Sequence, residues 1–336
     1  MRRLVVLLAA LFGILLFFLF EVLWAPNDFT GYRFVKVSKG ELFPQVVDSL
    51  QNAGVIRSPF LFSLAGRFLG YTKRIQIGKY RFHSGMSNRE ILLDLRFGTT
   101  VEYVRVIVPE GLKAKTIASL FARDVGIDSV KFMNLVNDSS LARRLNVNTK
   151  SLEGFLMPRT YTFYWQTDEE EIIKEMVDQF SRVFNDSLKT RTRTLGLTIN
   201  QVLTLASIVE GESAIDSERS LISGVYYNRL KKGMRLQADP TVQYIIGNGP
   251  RRLKKSDLRI GSPFNTYLHS GLPPGPVNNP GRSAILAALY PQKSKFLYFV
   301  ANGEGGHRFS RTYTEHRRAV QKYIKMKGEA GGKKRS

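Results

Sequence analysis

An almost unbroken apolar run from Leu4 to Phe20, preceded only by Met1-Arg2-Arg3, constrains this chain more than any other feature. A helix that is apolar on every face belongs in a membrane or a large core, and crossing a bilayer takes about 20 such residues. Extended past Glu21 by Val22-Leu23-Trp24, the run is just long enough. Arginines on its short N-terminal side predict that this end stays cytoplasmic while the rest is exported. A cleaved signal peptide is the competing reading, but Glu21-Val22-Leu23-Trp24-Ala25-Pro26 offers no small-x-small site. The expectation is a cytoplasmic stub and transmembrane anchor over 1–24, single-pass in the inner (cytoplasmic) membrane, with the remainder extracytoplasmic.

That placement interprets the charge. Fifty lysines and arginines against 28 acidic residues give a formal charge of +22. Such a surface favours polyanions: nucleic acid, acidic lipid headgroups or a carboxylate-bearing wall polymer. An exported domain argues against nucleic acid as a partner, leaving the membrane surface and the wall. The chain has no cysteine, which excludes disulfides, thiolate metal sites and cysteine nucleophiles. Its 336 residues suffice for two or three modest domains.

The pattern along the chain predicts an α+β protein. A compact module spans 32–98. It opens on the alternation Tyr32 to Val37, continues through amphipathic stretches over Leu42–Ala53 and Pro59–Phe68, and returns to strand-like pieces around a turn at Ser84-Gly85. A helix then starts at Asn88, with Ser87 and Glu90 spaced as a capping box. This strand–helix–helix–strand order resembles the LysM-like module that binds amino-sugar polymers; a plain structural spacer is the alternative. A connecting α/β segment over 99–150 carries a strand at Val101 to Pro109 and helical stretches at Lys115–Asp124 and Ser129–Asn137. Asp168–Val183 reads as a further helix, acidic in its first turn as the helix dipole favours. A basic tail over 327–336 closes the sequence as a solvated segment.

Few residues are set for chemistry. His83, His269, His307 and His316 fall in no metal-ligand spacing, and neither a nucleophile elbow nor a Walker loop is present. No metal or cofactor is expected. "NGEGGHRF" (302–309) follows a strand-like "FLYFVA" and reads as a hairpin turn. What remains is a helix starting near Thr198 and closed by Glu210 and Glu212. Two positions apart on a helix means about 200° apart, so the two carboxylates cannot work as a matched pair on one bond. Geometry alone leaves open which of them faces a cleft, and both could simply end a helix in ion pairs with Arg219 or Arg229. Downstream, "VYYNRLKKGMRLQADPTVQYIIG" and "SPFNTYLHSGLPPGPVNNPG" cluster tyrosine, amide, hydroxyl and proline residues in turn-like settings. Such stretches suit the rigid walls of a carbohydrate groove.

Five segments, "LEGFLMPRTY", "LASIVEGES", "NRLKKGMRLQADPTVQY", "SPFNTYLHSGLPPGP" and "LYFVANGEGGHRFS", in that order resemble the endolytic murein transglycosylases, MltG/YceG-like. The resemblance spans nearly the whole chain and implies a catalytic domain over 151–326. It implies a lyase that cleaves the bond between N-acetylmuramic acid and N-acetylglucosamine in peptidoglycan glycan strands, leaving a 1,6-anhydro end and limiting the length of nascent strands. Glu212 is the implied acid/base, with Glu210 in reserve. Gln237, Asp239, Asn265 and Tyr267 are expected to bind or orient the sugars. Peptidoglycan synthases are the implied neighbours. Gly211 and Arg159 depart from residues more usual in the family at those positions. A membrane-anchored scaffold that binds peptidoglycan without cutting it is the alternative.

Overall fold

The computed structural model describes residues 2–73, 75–247 and 251–332. It is a mixed α+β chain divided into two compact units, the first formed by residues 1–106, 122–127 and 161–168, the second by 107–121, 128–160 and 169–336.

The first unit follows α1 (Arg2–Leu23), the one described helix long and apolar enough to cross a membrane. Beyond it come β1 (Pro26–Asn27), β2 (Tyr32–Val37), α2 (Phe43–Asn52), α3 (Pro59–Leu69), β3 (Gly78–His83), β4 (Met86–Ser87), α4 (Asn88–Phe97), β5 (Val101–Ile107) and β6 (Thr160–Tyr164). β2 and β3 pair antiparallel in the four-stranded order β2-β3-β5-β6, while β4 pairs with β1 rather than with its neighbour in sequence. The expected β-α-α-β order is therefore present. Its caps follow the residues: Ser87 accepts the Glu90 amide as Glu90 reaches back to Ser87, and Gly54, with φ of 69°, turns the chain out of α2. Val22 and Leu23 at the end of α1 are buried in this unit's core with Val46, Leu50, Phe62 and Ile91.

The second unit is helical around one buried rod. It contains α5 (Ala114–Val125, whose last turn belongs to the first unit), α6 (Ser129–Val136), α7 (Ser139–Arg144), α8 (Glu169–Val183), α9 (Asp186–Thr194), α10 (Ile199–Glu212), α11 (Asp216–Lys231), α12 (Asp239–Ile246), α13 (Arg282–Leu289), the hairpin β7 (Tyr298–Ala301) and β8 (His307–Ser310), and α14 (Tyr313–Gly332). α10 packs against α9, α11, α12 and α13, so every residue from Val202 to Val209 is buried. Burial on all sides explains why its sequence shows no clean polar face.

Two expectations are corrected. Much of the segment from Val225 to Gly247, read as turn-like, is helical: it completes α11 and forms α12. Pro240 is no obstacle there, because proline fits the first helical turn, where its missing N–H is not needed. The tail over 327–336 is helical as far as Gly332, since α14 continues through it; residues 333–336 lie outside the described residues.

Candidate active site

Glu212 is the last residue of α10, and Ser213 breaks the helix with extended backbone. The Ser213 hydroxyl accepts the Ile215 amide at 3.0 Å, which turns the chain directly into α11. α11 thereby returns alongside, and the hydroxyl of its Tyr226 donates to Glu212 Oε1 at 2.6 Å. Oε2 of Glu212 has no hydrogen-bond partner among the described residues. The carboxyl lines a cleft of about 430 Å³ together with Tyr226, Arg229, Gln237, Asp239 and Tyr267, closed on the far side by the β7–β8 hairpin and α14.

Burial pushes the Glu212 carboxyl up to about 7, and the nearby Asp239 charge adds to the rise; the Tyr226 hydrogen bond and the Arg229 cation oppose it. Glu212 keeps partial access to solvent, so the cleft is where a ligand can reach a carboxyl otherwise enclosed by protein. Arg229 is held by backbone carbonyls, its Nε on Leu297 and one terminal nitrogen on Leu236. Its charge is thus fixed beside the site.

Glu210 lies in a different environment, as the 200° offset requires. Its side chain is only 6% exposed, ion-paired with Arg219 at 2.8 Å and accepting the Gly281 amide at 2.9 Å. Burial raises its pKa, with the Gly281 bond and Arg219 opposing. The helix-end ion pair that competed with catalysis in the sequence is therefore real for Glu210. Glu212 is not spent this way.

Of the other expected residues, Gln237, Asp239 and Tyr267 come together on the cleft wall and Asn265 does not. The Tyr267 hydroxyl donates to Asp239 Oδ1 at 2.6 Å. Gln237 sits at φ of 51°, in the left-handed region, and its amide donates to the Thr266 carbonyl. Such a conformation in a residue with a Cβ costs of order 1–3 kcal/mol and collects at ligand sites. Asn265 is fully buried; its amide donates to the carbonyls of Leu258 and Ile260 and its oxygen accepts the Tyr267 amide. Its work is to hold the loop that carries Tyr267.

The sequence reading gave Tyr226 and Glu218 no part in the site, and weighed Arg229 only as an ion-pair partner and His307 only as a metal ligand. His307 lines the cleft, and its Nδ1 lies 2.7 Å from Glu218 Oε2, while its backbone amide donates to Glu218 Oε1. Tyr226 and Arg229 fall three apart on α11, at the spacing that puts two side chains on one helical face; that signal was available once α11 was seen as a helix. Glu153, within "LEGFLMPRTY", was also missed. Burial pushes it up to about 7, against the Ala114 amide, Lys113 and Asn279. Its oxygens accept the Ala114 amide, at the first turn of α5, and the Asn279 amide group. Surrounded by donors, it suits an ionised helix cap better than a proton donor.

Gly211 has a steric reason to lack a side chain: a Cβ there would lie 2.7 Å from the ring of Pro240 at the start of α12. α10 runs on through Gly211 to Glu212. Arg159 donates to Gln179 Oε1 at 2.6 Å. The proline-rich loop is stapled to α10, the Val277 amide on Ser207 Oγ and the Asn278 amide on the Ser207 carbonyl. Among the described residues no group of three or more histidine or acidic side chains is gathered that could hold a metal ion.

Comparison with known proteins places these residues in context. The profile of the YceG-like family matches residues 35–322. A protein of Bacillus subtilis named endolytic murein transglycosylase is 34% identical over 310 residues, covering 88% of this chain and 86% of its own. A Streptococcus pneumoniae protein of the same name is 30% identical over 335 residues; this chain spans 60% of its length. A crystal structure of a YceG-like protein from Listeria monocytogenes superposes with a TM-score of 0.62 at 31% identity, covering 85% of this chain and 98% of that one.

Proposed function

This chain belongs to the YceG-like family, and from that premise we propose that it is an endolytic lytic transglycosylase of peptidoglycan in which Glu212 is the only proton-transferring side chain. One observation carries the reading: a carboxyl pushed up to about 7, hydrogen-bonded on one oxygen by Tyr226 and facing a cleft with the other. Two relatives named for this activity support it.

A hydrolase that retains or inverts configuration needs two carboxylates flanking the scissile bond. The cleft does hold a second one, Asp239, but its oxygen accepts the Tyr267 hydroxyl, which makes it a wall group rather than a free nucleophile. In the proposed cycle neutral Glu212 donates its proton to the glycosidic oxygen that links N-acetylmuramic acid to N-acetylglucosamine, and that C–O bond breaks. Positive charge develops at the muramic C1. The carboxylate thus formed takes the proton from the muramic C6 hydroxyl, whose oxygen closes on C1 as the 1,6-anhydro ring. Glu212 is neutral again and no water is consumed. Arg229 and Tyr226 favour the ionised form and so stabilise the intermediate stage, while burial restores the proton. Gln237, Asp239 and Tyr267 orient the sugars.

The remaining parts fit that activity. α1 anchors the protein in the cytoplasmic membrane with the site outside. The β-α-α-β module holds amino-sugar strands in the manner of LysM. Acting next to peptidoglycan synthases, the cleft limits the length of nascent strands.

The test is mass spectrometry of intact glycan strands digested by the full chain and by Glu212→Gln. Anhydro-ended products from the wild type, reduced by about 10² to 10⁴ in the variant with its circular dichroism unchanged, support the proposal. Reducing ends without anhydro mass loss would instead mean hydrolysis, and undigested strands a binding scaffold. Wild-type turnover by Glu212→Gln removes the assignment.

A further inference from the structure

We infer that α3 is an interfacial helix, lying in the headgroup layer of the membrane that α1 crosses, with Phe60 and Phe68 inserted among the acyl chains of anionic lipids. The inference rests on α1 being a membrane anchor and adds a second, independent contact with the bilayer.

The length of α1 is the starting point. Residues Arg2 to Phe18 are exposed all round, whereas Leu19 and Glu21 are half-buried and Val22 and Leu23 are buried in the core of the first unit. At 1.5 Å per residue the free apolar part, Leu4–Phe18, is about 22 Å long, and a bilayer's hydrocarbon is about 30 Å thick. Leu4–Leu23 is about 30 Å. The hydrocarbon must therefore reach up to the turns that the first unit already covers. No linker intervenes to absorb the difference. Asn88, the first residue of α4, donates its side-chain amide to the Val22 carbonyl at 2.9 Å, which ties the end of α1 into the fold. Whatever surface of this unit surrounds the last turn of α1 is held at the depth of the headgroups.

α3 is that surface. It packs directly against α1. Its inner face, Phe62, Ala65 and Gly66, is buried, Leu64 is half-buried against the same core, and Phe60 and Phe68 are left outward two turns apart. Phe60 is 72% exposed and Phe68 is 68% exposed. Two phenylalanines left outward on one helix, beside a membrane span, are out of place in water and suited to lipid. Arg57, Arg67 and Lys73 flank the pair and are all exposed. Outward apolar residues with a cationic border are the pattern of a helix that seats in an anionic interface.

Because the chain has no cysteine, single nitroxide labels report the depth cleanly. The full chain is reconstituted in phosphatidylethanolamine–phosphatidylglycerol vesicles as F60C, F68C, L15C in the anchor, and D186C as the aqueous reference; the Asp186 side chain is 97% exposed. Collisional access to oxygen and to a water-soluble nickel chelate is measured at each. The expected result is that Leu15 reports the bilayer interior and that Phe60 and Phe68 report about 5–10 Å below the headgroups. Labels at 60 and 68 as open to the chelate as that at 186, with 15 still deep, overturn the inference while the anchor stands. Dipolar broadening between labels at position 60 on two molecules would assign the pair to a second copy of this chain and overturn the lipid assignment. A label at 15 open to the chelate would remove the anchor, and the inference with it.

Discussion

The Tyr226 hydroxyl lies 2.6 Å from Glu212 Oε1, donating across from α11 to the last residue of α10. The tyrosine is itself fully buried, and its pKa is raised far above the ordinary value by burial and by the neighbouring carboxylate, so it acts as a fixed donor and never as a base. Each partner constrains the other. A donor on one oxygen leaves the second oxygen to carry the acid proton.

Replacing that donor separates positioning from acidity. Tyr226→Phe removes a bond that favours the ionised form, so the Glu212 pKa should rise further above 7. A hydrogen bond to a charged group is worth about 1.5–3 kcal/mol, which predicts a loss of about ten- to a hundredfold in kcat. The pH profile is the discriminating readout: its alkaline limb should move to higher pH, whereas a merely structural defect would lower the rate at all pH values alike.

For the wild type, kcat/KM on glycan strands should be flat on the acid side and fall about tenfold per pH unit above about 7, as Glu212 loses the proton that the proposed cycle requires of it. Stability follows the same titration. The folded pKa lies above the unfolded one, so the stabilising contribution is complete below about 4.5 and is lost as pH rises through about 7. Glu212→Gln escapes that loss. Thermal melts of the two proteins should coincide near pH 4.5 and diverge toward pH 8, with the variant more stable by up to about 3 kcal/mol.

The secondary structure was legible where one rule governed a segment. The Ser87–Glu90 box and the helical stretches of α2 and α5 are local patterns, and the elements lie where those patterns put them. Legibility failed where packing overrode pattern. Tyr227 and Asn228 in α11 read as loop residues because their partners, Ala288 for Tyr227 and Ser294 and Phe296 for Asn228, lie more than sixty positions away. Asn265 read as a sugar ligand for a different reason: its three partners lie within seven positions, but they are backbone groups of an irregular loop, which residue type alone does not reveal. The expectation for Glu212 came only from the motif around it, since the helical wheel could not separate it from Glu210.

Glu210→Gln tests that separation. Glu210 and Arg219 are each 6% exposed, and breaking such a buried pair costs about 3–5 kcal/mol because it leaves a buried charge without its partner. Arg219 also contacts Asp216 and Glu110, which soften the loss. Urea denaturation should show a large drop in stability, while turnover per folded molecule falls far less than the 10²-fold or more expected for Glu212→Gln.

The Glu218–His307 pair should govern how the cleft holds its substrate. Glu218, in the first turn of α11, accepts the His307 backbone amide on one oxygen and faces its Nδ1 with the other. Gly306 passes so close that a Cβ there would lie 2.6 Å from the Glu218 carboxylate. Strand β8 is thus pinned to the helix that carries Tyr226 and Arg229. Glu218→Ala frees the hairpin edge of the cleft without touching Glu212, so KM should rise several-fold with kcat little changed, because binding is lost equally in ground and transition states. His307→Ala leaves the backbone bond to Glu218 in place and should raise KM less. Equal falls in kcat and kcat/KM for both variants would instead place the imidazole in the chemistry itself.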